Sequence, residues 1–221
     1  MTRTGEAASQ AAVLGFEPET WLESIRARQR ELAIGAIVVV TAVVVFWAWR
    51  SNTRQNEEKA ERSLNVSANS YYSGNSQLAQ RDLEGLVKRY AGTPAATQGA
   101  MLLAQIQFEA GKYDDGMKVL EGARSGAGLF AASIEALIAA GNADQKKYAE
   151  AATHYLSAGE KAAFSNDRDI YRADAARALA LAGKRAEARQ IWEEIATRLD
   201  SPAYGEAKIR LGELSSVKAK S

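Results

Sequence analysis

Cysteine is absent from this 221-residue chain, which removes disulfides, thiolate metal sites and thiol nucleophiles together. A single histidine, His154, leaves no second imidazole to share a metal or complete a catalytic pair. Proline occurs three times, and β-branched residues crowd into one segment only, so little in the chain interrupts or competes with helix. There is also no surplus of one charge: 28 Lys and Arg stand against 27 Asp and Glu. Without a net basic field, phosphate backbones are not concentrated around the protein, and nucleic acid is not expected as a partner. What remains is rich in Ala, Leu, Glu, Lys, Arg and Gln, the composition of an all-α protein.

One segment stands apart. From Leu32 to Trp49 the chain reads LAIGAIVVVTAVVVFWAW, without a charge and with Thr41 as its one polar side chain. As a helix it covers roughly 27 Å, close to the hydrocarbon thickness of a bilayer, and helix formation pairs its backbone polar groups internally. Arg30 and Arg50 bracket it, and Trp47 and Trp49 sit where indoles collect at a membrane interface. The run exceeds the apolar core of a signal peptide and leads into WAWRSN with no small-residue cleavage site, so an uncleaved anchor is expected. Arg26, Arg28 and Arg30 before it are matched by Arg50, Arg54, Lys59 and Arg62 after it. The acidic Glu57, Glu58 and Glu61 among the latter, and the habit of a lone first span to act as a signal anchor, place the short N-terminus in the cytoplasm and the large domain outside it.

The expected organisation follows. Residues 1–31 form a small, polar tail with a short juxtamembrane helix opened by Pro18 and carrying Trp21, Leu22 and Ile25. Residues 32–49 form the transmembrane helix, 50–76 a stalk helix, and 77–221 a helical-repeat domain. Beyond Gly74-Asn75, apolar residues recur at helical spacing between short breaks. Helices are predicted at Ala95–Ala110, Tyr113–Ala123, Leu129–Ala140, Lys147–Ala163, Asp167–Ala182, Arg185–Leu199 and Pro202–Val217. Each has one apolar stripe, such as Ala188, Ile191, Trp192, Ile195 and Leu199, which calls for helices packed on helices.

Three turns look alike: AGKYDDGMKVLEGA from Ala110, QKKYAEAATHYLSA from Gln145, and AGKRAEARQIWEEI from Ala182. Tyr113, Tyr148 and Arg185 are 35 and 37 residues apart, near the 34-residue period of tetratricopeptide repeats. Gly111 and Gly183 permit a tight turn between paired helices, Ala151 and Ala188 allow close backbone approach, and Leu120, Tyr155 and Trp192 fill the space between helices. Leu103 and Ala104 match the Leu-Gly/Ala step of such a repeat's first helix, while Gly116 replaces the usual alanine and a lengthened loop is expected around Gly141 to Lys146. The helix from Pro202, with Tyr204, Ala207, Leu211 and Leu214 on one face, reads as a solenoid cap.

The anchor LAIGAIVVVTAVVVFWAWR, the repeat TQGAMLLAQIQFEAGKYDDGMKVLEGA, and IYRADAARALALAGKRAEARQIWEEI followed by EAKIRLGEL together resemble the single-pass ancillary subunits of the bacterial Sec translocon. That resemblance implies an inner-membrane protein with a periplasmic tetratricopeptide domain that helps hand exported chains to periplasmic chaperones, with no catalytic residue, cofactor or metal. It implies protein partners, bound through the first helices of the repeats, and points to Gln105, Gln107 and Glu109 or Arg172, Asp174 and Arg177. A scaffold for envelope assembly or cell division is the alternative, and a membrane-tethered enzyme the reading from another class.

The residues offer that enzyme little. His154 lies mid-helix on the polar side of Tyr155; Asp114-Asp115 and Glu193-Glu194 are adjacent pairs whose side chains diverge on a helix. Gly122, Gly126 and Gly128 in EGARSGAGL follow no strand and lack a Gly-Lys-Ser/Thr ending, so they read as a helix connection and not as a phosphate cradle.

Overall fold

The computed structural model describes residues 29–218, with the side chains at 29–33, 36, 48, 49 and 216–218 outside the description. The expected helix at Pro18 therefore lies outside the described residues. Nine α-helices follow one another among the described residues: α1 (Gln29–Tyr72), α2 (Ser76–Arg89), α3 (Pro94–Glu109), α4 (Tyr113–Ala123), α5 (Ala131–Asp144), α6 (Tyr148–Lys161), α7 (Ser165–Leu181), α8 (Arg185–Ile195) and α9 (Tyr204–Lys218). Two compact units divide the chain, Met1–Arg54 and Gln55–Ser221.

In the first unit, every described large apolar side chain from Ile34 to Trp47 is more than half exposed. The hydroxyl of Thr41 donates to the carbonyl of Ile37 at 2.8 Å, so the segment's one polar side chain is satisfied inside its own helix. Both expected anchor ends, Leu32 and Trp49, are helical positions whose side chains lie outside the described residues. Among the described residues no helix is long and apolar enough to cross a membrane. The uninterrupted described run extends from Ile37 to Trp47 only.

In the second unit each helix packs on its neighbours in sequence, as in a solenoid. Its period is set by four identical turns. The amides of Gly74, Gly111, Lys146 and Gly183 donate to the carbonyls of Tyr71, Phe108, Ala143 and Ala180, and the next amide reaches back to Ser70, Gln107, Asn142 and Leu179. This is the Schellman ending of a helix, which needs a left-handed residue; φ is +83°, +73°, +60° and +80° at the four positions. Tyr113, Tyr148 and Arg185 each open the helix after such a turn.

Three buried clusters run along the unit. The first joins Ala60 of α1 to Leu83, Leu86, Leu103 and Ile106. A second holds Ala104, Phe108, Leu120, Ile134 and Ile138, and a third holds Ala151, Ala176, Ala188, Trp192, Ile195 and Ala207, with Tyr155, Leu211 and Leu214 packed against it. The segment 55–72 is thus the first helix of the packed array. Glu57 accepts a hydrogen bond from the Ala95 amide and Tyr71 donates one to Glu109, both across 38 residues. Two contacts in the same register at both ends mean that this part of α1 runs parallel to α3, as first helices of adjacent repeats must.

Two sequence expectations are corrected. No loop covers Gly141 to Lys146: α5 continues to Asp144, and the turn occupies the residues around Lys146 alone. Gly141 lies within the helix, and its lack of a side chain is required there because a Cβ would lie 2.6 Å from Cζ of Phe108. Gly116 faces the same ring, where an added Cβ would lie 2.4 Å from Cε1, so both glycines make room for one aromatic side chain. Likewise α8 ends at Ile195, and Leu199 is 81% exposed in the connection beyond it. The connection through Arg124–Gly126 and Gly128–Phe130 consists of two short 3₁₀ turns.

Candidate functional site

Helices α1, α3, α5 and α7 occupy the same place in successive pairs, so their outward faces can be aligned by counting back from the turn residue. Steps of two, six, nine and thirteen residues keep to one face of a helix. They give Tyr72, Ala68, Asn65 and Glu61 in α1; Glu109, Gln105, Leu102 and Gln98 in α3; Asp144, Ala140, Leu137 and Ser133 in α5; and Leu181, Arg177, Asp174 and Ile170 in α7. All sixteen are exposed or half-buried, while the opposite faces hold the buried clusters.

Side chains tie these helices together along that face. The Tyr71 hydroxyl lies 2.7 and 2.9 Å from the two carboxylate oxygens of Glu109, which also accepts from Gln105 at 3.1 Å. That bond to a carboxylate raises the pKa of Tyr71. Burial, and then the nearby charges of Asp174 and Asp144, raise that of Tyr155. Burial also raises the Asp174 carboxyl, against the pull of Arg177. Arg177 makes a two-pronged contact with Glu206 of α9 at 2.9 and 2.8 Å and a further ion pair with Asp174. The bond from Arg177 lowers the pKa of Glu206. Beside Arg177 and Leu181 a recess of about 390 Å³ opens between α7, α8 and α9, lined by Trp192 and Leu214 and by the charged Arg185, Arg210 and Glu213.

The residues singled out in sequence divide by face. Gln105, Glu109, Asp174 and Arg177 lie on the outward stripe. Gln107, two residues from Gln105, is buried with its Oε1 unpaired, and Arg172 turns towards α8, where it pairs with Glu194. Leu103, Ala104, Leu120, Ala151, Ala188 and Trp192 are buried; Tyr113 stacks on Phe108 with ring centroids 5.8 Å apart. Tyr148 opens α6, and Gly111 and Gly183 occupy left-handed turn positions.

Sequence reasoning missed a buried ionic hub. Glu135, 2% exposed, accepts from Arg124 and Lys161 at 2.6 Å each and lies 2.9 Å from Nδ1 of His154. Burial alone would raise its pKa, but the bonds from Lys161, His154 and Arg124 outweigh burial and hold it at about 2. One carboxylate thus joins α5, α6 and the connection before α5, and His154 has a structural partner. The available signal was a lone glutamate inside the apolar run AASIEALIAA. Asp169, also 2% exposed and ion-paired with Arg198, ties α7 to the segment after α8 in the same way. Among the described residues no group of three or more His, Asp or Glu is placed to hold a metal ion.

A family model described as a tetratricopeptide repeat-like domain matches residues 27–216. Among solved structures, nearly identical TPR-like repeats of a kinesin light chain candidate from Podosopora anserina superpose with a TM-score of 0.58 at 14% identity, over 74% of this chain and 89% of that one. A singly substituted form of the same repeats gives 0.57 at 14% identity, over 74% and 88%. At that identity the likeness is one of fold. No curated protein matches the sequence.

Proposed function

Because the chain belongs to the tetratricopeptide repeat-like family, we propose that it is a protein-interaction scaffold held at a membrane, an accessory of the Sec translocon that passes exported chains to periplasmic chaperones. The observation that carries the scaffold reading is the aligned outward stripe of α1, α3, α5 and α7. Its polar and apolar side chains stay accessible, while each helix buries its other face, so the stripe can engage a partner without any cost in core packing.

Anchoring through residues 32–49 is supported by the sequence of that segment and by the exposed side chains of Ile34 to Trp47, which call for an apolar surrounding. The translocon role and the periplasmic placement of the repeats rest on the family resemblance of anchor plus repeats. Envelope assembly or cell division is the other use of the same surface.

A reporter active only in the periplasm, fused after Ser221, with protease access to the unfused protein as control, tests the topology. Activity and cleavage from the periplasmic side are expected, and a protected domain with a silent reporter would make this a cytoplasmic adaptor. Photo-crosslinkers at Gln105 and Leu137 test the surface. Adducts with translocon subunits or chaperones support the export role, and adducts confined to division or cell-wall proteins replace it with the alternative.

A further inference from the structure

Charge on the outward stripe is segregated. Glu61, Glu109, Asp144 and Asp174 are its acidic members and Arg177 its one cation, giving three net negative charges on a face of a chain whose total is +1. Arg177 is itself engaged by Asp174 and Glu206. Glu61, Glu109 and Asp144 take no part in any ion pair among the described residues. Between the carboxylates the stripe mixes the polar Asn65, Gln98, Gln105 and Ser133 with apolar side chains, Tyr72 78%, Ile170 43% and Leu181 65% exposed.

We propose that this face takes a cationic amphipathic segment of a partner protein, with Lys or Arg side chains on Glu61, Glu109 and Asp144 and apolar side chains against Tyr72, Ile170 and Leu181. This rests on the scaffold reading and names the chemistry of its partner. Complementary charge selects such a segment, and like charge disfavours acidic segments and anionic lipid surfaces.

The test uses the full chain in detergent micelles and a fluorescent synthetic peptide composed of lysine, leucine and serine. A second peptide replaces each lysine with glutamate. Anisotropy should report binding of the lysine peptide alone, weakened about tenfold by Glu61→Gln, Glu109→Gln and Asp144→Asn together. Glu84→Gln, Glu160→Gln and Glu193→Gln, all off the stripe, should leave binding unchanged. Because Glu109 also holds Tyr71, the double variant Glu61→Gln with Asp144→Asn provides a form that disturbs no described ion pair, and it should weaken binding in the same direction. Equal binding of the glutamate peptide, or no response to either set of stripe substitutions, would overturn the assignment. Failure of the lysine peptide while Gln105 and Leu137 still crosslink in cells would overturn it and leave the scaffold intact; loss of both would remove the scaffold reading too.

Discussion

At the scale of single residues, stability in the repeat unit depends on a few groups whose surroundings make them irreplaceable. Glu135 is one. Its carboxyl is held at about 2 against an ordinary 4.5, so its folded pKa is depressed. The resulting stabilisation is present above pH 4.5 and is lost as pH falls through 2; the difference corresponds to about 3 kcal/mol. Glu135→Gln should lower stability by about that much at pH 7, since Arg124 and Lys161 lose their buried counter-charge. Urea unfolding over a pH series should show the wild type losing that increment between pH 4.5 and 2 while the variant does not; parallel curves would refute the role of the hub. Gly141 is another such residue. Gly141→Ala drives a methyl against Phe108 and should cost about 1–3 kcal/mol in thermal or urea unfolding. Gly85→Ala, with nothing within 4 Å of the new Cβ, should stabilise by up to ~1 kcal/mol. If both substitutions act alike, the ring contact does not govern position 141.

At the scale of elements, the four Schellman turns show one geometry carried by two kinds of residue. Glycine holds three of the left-handed positions, and Lys146 holds the fourth at φ +60°. A side chain in that region costs roughly 1–2 kcal/mol, so Lys146→Gly should raise the melting temperature, and Gly111→Ala and Gly183→Ala should lower it. An unchanged midpoint for Lys146→Gly would mean that the gain is offset in the unfolded chain. The same geometry explains what was hidden in the sequence. The turn at Gly74 belongs to the series but is followed by Asn75 and Ser76, unlike the lysine and aromatic or arginine of the others, so three repeats were legible and the fourth was not. Gly141 read as a breaker because glycine usually interrupts helices; here it belongs to one, where close approach of Phe108 outweighs its low helix propensity.

At the scale of the whole molecule, the repeat unit is a series of nearest-neighbour contacts closed at its far end by α9. Ala207, Leu211 and Leu214 belong to the cluster around Trp192, so ending the chain at Asp200 bares that cluster. In a solenoid the loss stays local. Hydrogen exchange should therefore show α7 and α8 losing protection in the shortened protein while α3 and α4 keep theirs; collapse throughout would mean a single cooperative core. The helical class, the stretches of most helices and the period near 35 residues were determined by the sequence alone, because apolar spacing and turn chemistry act locally. Leu103, Ala104, Leu120 and Trp192 could be assigned to the interior for the same reason. Tertiary structure alone decided which polar residues face outward and which are enclosed. Gln105 and Gln107 are equally polar neighbours, yet one is exposed and the other buried, since the angle at which successive pairs stack sets how much of each helix is covered. Glu135 and Asp169 meet their partners only through that stacking, which brings groups distant along the chain into a single buried contact.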